Sequence, residues 1–282
     1  MSGIREYKSE IKVDITIVCY NHERTIEKCL KGVTSQVGIE IGKIIIHDDA
    51  STDQSPQIIQ RYCENFKTKF SFIQIIQRKN TYQFDSLLPG KTVLSHATSD
   101  YVAILDGDDV WIDEHKLQKQ VEAIKKTKTC LAFSSAEFVT TNGEVSIRPT
   151  RLFRSASFLS CIMSGGSNIP TSSIVLKRDL LNRFTDEFWR DSNFFDLPLK
   201  LVGTSEGAVF IPSITTRIEK NQFGSFSYIK NRKSKAVIIA ETKERLSDVL
   251  VVAKLLKPSH KYIFAILLSL RIFLATLKAI LK

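Results

Sequence analysis

Apolar and polar residues arrive in blocks along the first half of the chain, and the blocks change period at regular intervals. Val13 to Cys19 is a short run rich in β-branched residues that ends at polar Tyr20-Asn21-His22, the pattern of a strand buried on both faces. From Glu23 to Gln36 the period becomes helical, with Ile26, Leu30 and Val33 on one face. Lys43 to Ile46 is a second strand, closed by His47-Asp48-Asp49. Ser51-Thr52-Asp53 then reads as an N-cap before a helix from about Pro56 to Asn65. Phe70 to Gln77 is a third strand. A polar loop near Asn80 to Gly90 leads to a helix at Lys91 to Ala97. Tyr101 to Leu105 is a fourth strand that stops at Asp106, and Asp113 is placed to cap a helix over Glu114 to Lys126. Strands alternating with helices predict an α/β fold with a Rossmann-like, mostly parallel central sheet flanked by helices.

Beyond Thr127 the pattern loosens. Leu131 to Val139, Ser173 to Lys177 and Val209 to Ile218 read as strands, Asp179 to Asn182 as a short helix, and Trp189 to Gly207 as a loop and a helix. Near the C-terminus, Tyr262 to Leu270 is apolar apart from Ser269. Arg271 interrupts the run and Ile272 to Leu277 resumes it. A spanning helix needs about 20 mainly apolar residues, and a central arginine costs about 2.5–3.5 kcal/mol on insertion scales. The segment is therefore expected to form an amphipathic helical tail lying on a membrane surface; the alternative is a helix packed on the protein's own core or on a partner.

Composition narrows the picture. Hydrophobic residues make up 43% of the 282, enough for a sizeable core and too many for a disordered chain. Cys19, Cys29, Cys63, Cys130 and Cys161 are scattered with no CxxC pair, so neither a disulfide framework nor a zinc site is suggested. Met1 to Glu10 is polar and carries no signal-peptide core, which predicts a catalytic part kept in the cytoplasm. The net charge of +10 is gathered toward the C-terminus at Lys230, Arg232, Lys233, Lys235, Lys254, Lys257, Lys261, Arg271, Lys278 and Lys282. With no nucleic-acid-binding motif present, that gradient points to an anionic membrane surface, peripheral to its inner face, and not to nucleic acid.

Three polar clusters follow predicted strands at their carboxyl ends, the rim of an open α/β sheet where ligands bind. They are Tyr20-Asn21-His22-Glu23, His47-Asp48-Asp49 and Asp106-Gly107-Asp108-Asp109. Carboxylates packed as densely as Asp106, Asp108 and Asp109 repel one another unless a cation is present. A hard divalent ion, Mg²⁺ or Mn²⁺, takes such oxygen ligands and bridges them to substrate phosphates. Gly107 lets the backbone approach closely. A solvated turn with helix-capping aspartates is the plainer reading of the same residues. Asp48 and Asp49 could likewise stabilise the start of the next helix or accept a hydrogen bond from a base or ribose.

Taken in order, the segments from Val13 to His22, from Ile44 to Asp53 and from Tyr101 to Trp111, followed by Lys116-Leu-Gln-Lys-Gln120, resemble family 2 glycosyltransferases of the GT-A fold, and among them bacterial members that build surface polysaccharides. The resemblance covers roughly residues 12 to 135. It implies that Cys19, Tyr20, Asn21 and Glu23 line the nucleotide pocket, that Asp49 with Asp48 bonds the base, commonly uracil, that Asp106 contacts ribose or metal, and that Gly107 belongs to the nucleotide site. It further implies that Asp108, helped by Asp106, ligates a Mg²⁺ or Mn²⁺ ion on the diphosphate, and that Asp109 supports the donor sugar or the metal.

A weaker likeness continues downstream. Asn168 to Ser173 resembles the segment entering the acceptor site, which brings in Ser172, and Asp196-Leu-Pro-Leu199 resembles the stretch carrying the catalytic base. Thr216-Arg217-Ile-Glu219 with Gly224 to Ser227 resembles a closing aromatic-Arg-x-His segment. Here Thr216 replaces the aromatic and Glu219 the histidine, so Glu219 becomes the candidate metal ligand and Arg217 the candidate diphosphate contact. The implied reaction is an inverting transfer from a nucleotide-sugar donor, a UDP-sugar in particular, to a saccharide or lipid-linked acceptor, with Asp196 or Asp191 as base. Trp189 is a candidate to stack on the acceptor sugar. A sugar-nucleotide nucleotidyltransferase and a non-catalytic nucleotide-sugar-binding scaffold remain open. The expected organisation is a catalytic domain over 1–228, divided into a donor half at 12–125 and an acceptor half at 126–228, followed by a basic helical tail at 229–282.

Overall fold

The structure is a computed structural model of the chain and describes residues 11–149, 156–220 and 251–281. Its first half follows the hydrophobic pattern: β1 (Lys12–Cys19), α1 (Ile26–Thr34), β2 (Glu40–Asp48), α2 (Ser55–Phe66), β3 (Ser71–Ile76), α3 (Leu88–Ser95), β4 (Tyr101–Asp106), β5 (Asp109–Trp111) and α4 (Lys116–Thr127). The second half adds β6 (Leu131–Thr140), β7 (Val145–Arg148), α5 (Phe158–Ser164), a 3-10 turn at Thr171–Ser173, β8 (Val175–Lys177), a 3-10 helix at Arg178–Arg183, α6 (Asp186–Asp191), α7 (Asp196–Glu206), β9 (Ala208–Lys220) and α8 (Pro258–Leu281).

These strands form one nine-stranded sheet in the order β3-β2-β1-β4-β8-β6-β9-β5, with β7 paired to β6. Strands β1 to β4 are mutually parallel where they pair; β8 runs antiparallel to both β4 and β6, and β9 is parallel to β6. Hence β1, β2, β3, β4, β6 and β9 share one direction, while β5, β7 and β8 oppose it. The mostly parallel sheet is correct in direction but is more mixed than βαβ repetition alone predicts. Strand β8 reaches the sheet from the 3-10 turn, not from a crossover helix. Strands β5 and β7 and helix α5 were absent from the pattern reading. Strand β5 is too short to show a period, and β7 lies on an edge with exposed Val145 and Ile147.

Two apolar layers cover the sheet. On one face Val13, Ile15, Ile17 and Cys19 of β1 meet Ile26, Leu30 and Val33 of α1 and Leu117, Val121 and Ile124 of α4. On the other, Val102, Phe133 and Leu176 pack against α5, α7, Val252, Leu255, Leu256 and Phe264. The alternation of β1 places Asp14 on this second face, fully buried. There it accepts from Lys43 N (2.8 Å), Thr98 N (2.6 Å), Ser99 N (2.8 Å) and Ser99 Oγ (2.7 Å). Burial works to raise its proton affinity, but these donors outweigh it and hold the carboxyl below its ordinary range.

The tail divides. Phe264 enters the core and Phe158 of α5 lies 4.6 Å from the His260 ring, so the first turns of α8 dock on the protein. Tyr262, Ile266, Leu270 and Phe273 face outward instead. No helix among the described residues is long and apolar enough to cross a membrane. The expected Gly224 segment and the lysine cluster from Lys230 to Lys235 lie outside the described residues.

Candidate active site

Parallel register brings the three polar clusters together. Cys19 pairs with Asp48 and Val18 with Asp106, so β1, β2 and β4 end side by side. The loops beyond them interlock. Asn21, at a φ of 57°, donates its amide to Ser51 Oγ (2.8 Å) and accepts from Thr52 N (2.8 Å). Glu23 accepts from Gln54 N (3.1 Å), and its own amide donates to Asp53 (3.0 Å). Asp53 also accepts from Ser55 N (2.9 Å), while Gln54 holds the cap position of α2 without a side-chain cap bond. The 51–53 segment thus anchors the loop after β1 as well as opening a helix. His22 N donates to Ser55 Oγ (2.8 Å).

The carboxylates of the second cluster are engaged within the protein. Asp48 accepts from Ser51 N (2.9 Å) and Ser51 Oγ (2.6 Å), closing a turn ahead of α2. Asp49 is buried and accepts from Thr81 N (2.7 Å), Thr81 Oγ1 (2.5 Å) and Tyr82 N (2.9 Å), pinning the loop after β3 to the rim. Cys19 is a buried wall residue whose thiol is pushed far up by burial and the nearby Asp48. Tyr20 is exposed at the rim.

The Asp106–Asp109 turn is held by its neighbours. Gly107 N donates to Val18 O (2.8 Å), and Thr25 Oγ1 donates to Gly107 O (3.1 Å). A Cβ on Gly107 would lie 2.8 Å from His22 Nδ1, so the close approach of His22 requires glycine. His22 Nε2 is 4.0 Å from Asp108, and its buried Nδ1 has no hydrogen-bond partner. Asp109 begins β5 opposite Ile218 of β9.

Ser172 joins both ends of the turn. Its hydroxyl donates to Asp109 and accepts from Asp106 N (3.1 Å), while its carbonyl accepts from Trp111 Nε1 (2.8 Å). Ser172 is fully buried, so the structure makes it a brace for the acids and not the acceptor contact expected of it.

Asp106, Asp108, Asp109, Asp196 and Glu219 line a cavity of about 360 Å³. Burial, then Asp108 and Asp196, raise the Asp106 carboxyl to about 7, against the opposing effect of Lys200 and Ser172. Burial, then Asp108 and Asp106, push Asp109 well above the carboxylate range, with Glu219 adding to the effect. The cluster is thus short of positive charge. Among the described residues no group of three or more His, Cys, Asp or Glu side chains converges as a ready cage. The donor chemistry nonetheless fits Mg²⁺ or Mn²⁺, which binds through one or two carboxylates and completes its shell with water and phosphate oxygens.

The structure separates the two base candidates. Asp196 opens α7 on the cavity wall and accepts from Thr171 Oγ1 (3.0 Å). Asp191 ends α6 away from that wall, bonded to Arg190 (2.9 Å), whose guanidinium holds the carboxyl below its ordinary range.

Arg217 is not brought to the acids. Arg217 does not line the cavity, and in the sheet it stands opposite Val110 of β5 and Glu137 of β6. Arg217 bonds Glu137 (2.5 Å) across β6. Trp189 stacks on Phe195 (5.3 Å between centroids) in a cluster with Phe184 and Phe188, off the cavity. The cavity's cations are Lys200, Arg148 and Lys220, which sequence reasoning did not select. Only Lys200 left a signal, standing one helical turn after Asp196.

Residues 14–185 match the family model described as "Glycosyl transferase family 2". An Escherichia coli protein named UDP-Glc:alpha-D-GlcNAc-diphosphoundecaprenol beta-1,3-glucosyltransferase WfgD is 24% identical over 65% of this chain and 67% of its own. Curated relatives at 33% and 35% identity are matched over only 37% and 39% of their own length. Among solved structures, S. aureus TarS 1-349 in complex with UDP-GlcNAc superposes with a TM-score of 0.67 at 16% identity, covering 90% of this chain and 70% of that one. The mannosyltransferase PcManGT from Pyrobaculum calidifontis, in complex with GDP-Man and Mn2+, gives 0.61 at 18% identity, covering 96% and 75%. At these identities the solved structures share the fold, which is the GT-A fold anticipated from the motifs.

Proposed function

The chain belongs to glycosyl transferase family 2, and from that premise we propose that it moves a sugar, with inversion, from a nucleotide-sugar donor to a saccharide or lipid-linked acceptor in polysaccharide assembly. A UDP-sugar is the donor we favour. The observation that carries this reading is that Asp106, Asp108, Asp109 and Asp196 share one cavity at the carboxyl rim of the parallel strands. The lipid-linked substrate in the name of the Escherichia coli relative supports the acceptor class.

In this reading Asp108 and Asp106 would hold a Mg²⁺ or Mn²⁺ ion. When bound, the ion would act as a Lewis acid that offsets charge on the departing nucleoside diphosphate. The rest of the work falls to the chain's own side chains. Asp196 takes the proton from the attacking acceptor hydroxyl. Thr171 orients it through one carboxylate oxygen, leaving the other to meet the acceptor. Lys200, buried on the same cavity wall, opposes the upward push that burial, Asp108 and Asp196 exert on the Asp106 carboxyl. Ser172 fixes Asp109 next to the donor sugar. Tyr20, Asn21 and Glu23 form the nucleotide side of the rim, with Asp49 acting through the 81–82 loop that it pins.

The nucleotidyltransferase reading loses ground because the loop after β1 is locked to residues 51–55 and is not a glycine-rich cradle. We also propose that the outward face of α8 rests on the inner face of the membrane, next to lipid-linked acceptors. The deciding experiment is a screen of nucleotide sugars for Mg²⁺- or Mn²⁺-dependent donor hydrolysis and thermal stabilisation, with Asp108→Ala as control. Saturable, metal-dependent hydrolysis lost in the variant is expected. A chain that binds UDP yet never cleaves a donor is a scaffold.

A further inference from the structure

The cavity has a second wall of opposite sign. Phe138 of β6 lies between strands β7 and β9: Ala136 pairs with Arg148, Phe138 with Ile218, and Thr140 with Lys220. The pleat therefore puts Phe138, Arg148 and Lys220 on one face of the sheet. The Arg148 guanidinium carbon is 5.0 Å from the Phe138 ring centroid, and the Lys220 ammonium is 4.4 Å from it. Both cations line the same cavity as Asp108 and Asp196. Burial, then the charge of Arg148, hold the Lys220 ammonium below its ordinary range, so the two heads feel each other. An aromatic face attracts each cation only modestly, by about 0.5–1 kcal/mol at exposed sites. Gathering two cations around one ring sets a patch of positive charge on this wall of the cavity.

We propose that Arg148 and Lys220, set on either side of Phe138, form a phosphate-binding subsite for the phosphorylated end of the acceptor. The inference rests on the glycosyltransferase reading and adds the acceptor's chemical class: a saccharide carrying a phosphate or diphosphate ester. The nucleotide side of the rim is formed by β1, β2 and β4, whereas the pair stands on β7 and on β9, where Lys220 lies two residues beyond Ile218, the partner of Asp109. Asp196 lines the same cavity as the acid turn and this pair, so a base there meets an acceptor hydroxyl whose phosphate sits on the cations. Arginine suits phosphate through its paired donors, and lysine adds a point charge.

The test uses the full chain with saturating UDP and Mg²⁺, and phenyl phosphate as probe, followed by ³¹P NMR titration. Phenyl glucoside is the neutral counterpart. Arg148→Gln, Lys220→Gln and the double variant are compared with Arg148→Lys, after thermal melts establish that each is folded. Phenyl phosphate is expected to bind the wild-type chain alongside UDP, to weaken at least tenfold in the double variant, and to be partly retained in Arg148→Lys. UDP affinity should stay within twofold. Unchanged phenyl phosphate binding in the double variant overturns the proposal. Equal loss of UDP and phenyl phosphate overturns it too, by giving the cations to the donor's diphosphate. If UDP fails to bind at all, the donor reading fails, while the same titration without UDP still decides whether the pair holds phosphate.

Discussion

The Ser172 hydroxyl donates to the Asp109 carboxylate across 63 residues of sequence, one of several bonds that tie the acceptor half of the sheet to the acid turn. Removing it leaves a buried carboxyl short of a donor and frees the Asp106 amide as well. Ser172→Ala should therefore lower stability by about 1–3 kcal/mol, the usual cost of an unsatisfied buried group. Urea denaturation measures it. A loss below the experimental error would mean that Asp109 finds another partner.

The separation of Asp196 from Asp191 gives a paired prediction. Asp196→Asn keeps the bond from Thr171 but cannot accept a proton. It should reduce kcat about 10²–10⁴-fold, the usual contribution of a general base, with donor affinity unchanged. Asp191→Asn, which breaks only an exposed pair with Arg190, should stay within twofold of wild type. Steady-state kinetics on both variants decide between them, and the reverse pattern would move the base to α6.

Much of this arrangement was legible in the sequence. Strands β1 and β4 were readable because runs such as Ile15-Thr-Ile-Val18 and Tyr101-Val-Ala-Ile104 suit a doubly buried strand, and the polar clusters marked where each ends. What stayed hidden depends on long-range pairing. Nothing local says that Ser172 reaches Asp109, or that Arg148 and Lys220 meet at Phe138. Arg217 looked like a diphosphate contact by motif position. Register with β6 instead sets it opposite Glu137, which it bonds. The three-residue β5 was concealed inside the acid motif itself.

Charge crowding at the acid turn makes the metal-free chain sensitive to pH. The Asp106 carboxyl is raised to about 7, above its unfolded range near 4. Its neutral form is thus favoured by folding. The corresponding stability is fully present below about pH 4 and is lost as pH rises through about 7. Asp106→Asn removes that titration. Without metal, the variant should match wild type near pH 4 and exceed it at pH 8. Adding Mn²⁺ at pH 8 should raise the melting temperature of wild type only. Parallel melting curves for the two proteins across this range would show that Asp106 is not perturbed.

Gly32 marks where α1 meets the acid-turn strand. A Cβ there would stand 2.6 Å from the Trp111 carbonyl oxygen, which is backbone and cannot swing aside. Gly32→Ala should cost about 1–3 kcal/mol through overpacking, despite the better helix propensity of alanine. Because Trp111 also donates to Ser172 O, the variant should lose donor affinity along with stability. A stabilised variant would show that α1 can retreat from β5 without consequence.

The tail calls for surface substitutions, not truncation. Phe264 is fully buried, so deleting α8 would open the core, and Phe264→Ala alone should cost about 3–5 kcal/mol. The outward face is separable from that role. Tyr262, Ile266, Leu270 and Phe273 are 82%, 68%, 53% and 60% exposed and recur at helical spacing, forming a stripe with no cover among the described residues. If the stripe inserts at a lipid interface, changing Tyr262, Ile266 and Phe273 together to serine removes most of the apolar area available for binding, at little cost in stability. The triple variant should stay in the supernatant when vesicles of phosphatidylglycerol and phosphatidylcholine are sedimented. Wild type should pellet with them, and less so as salt screens the nearby lysines. Equal sedimentation of both chains would remove the membrane role from α8 and leave it as the clamp that Phe264 makes it.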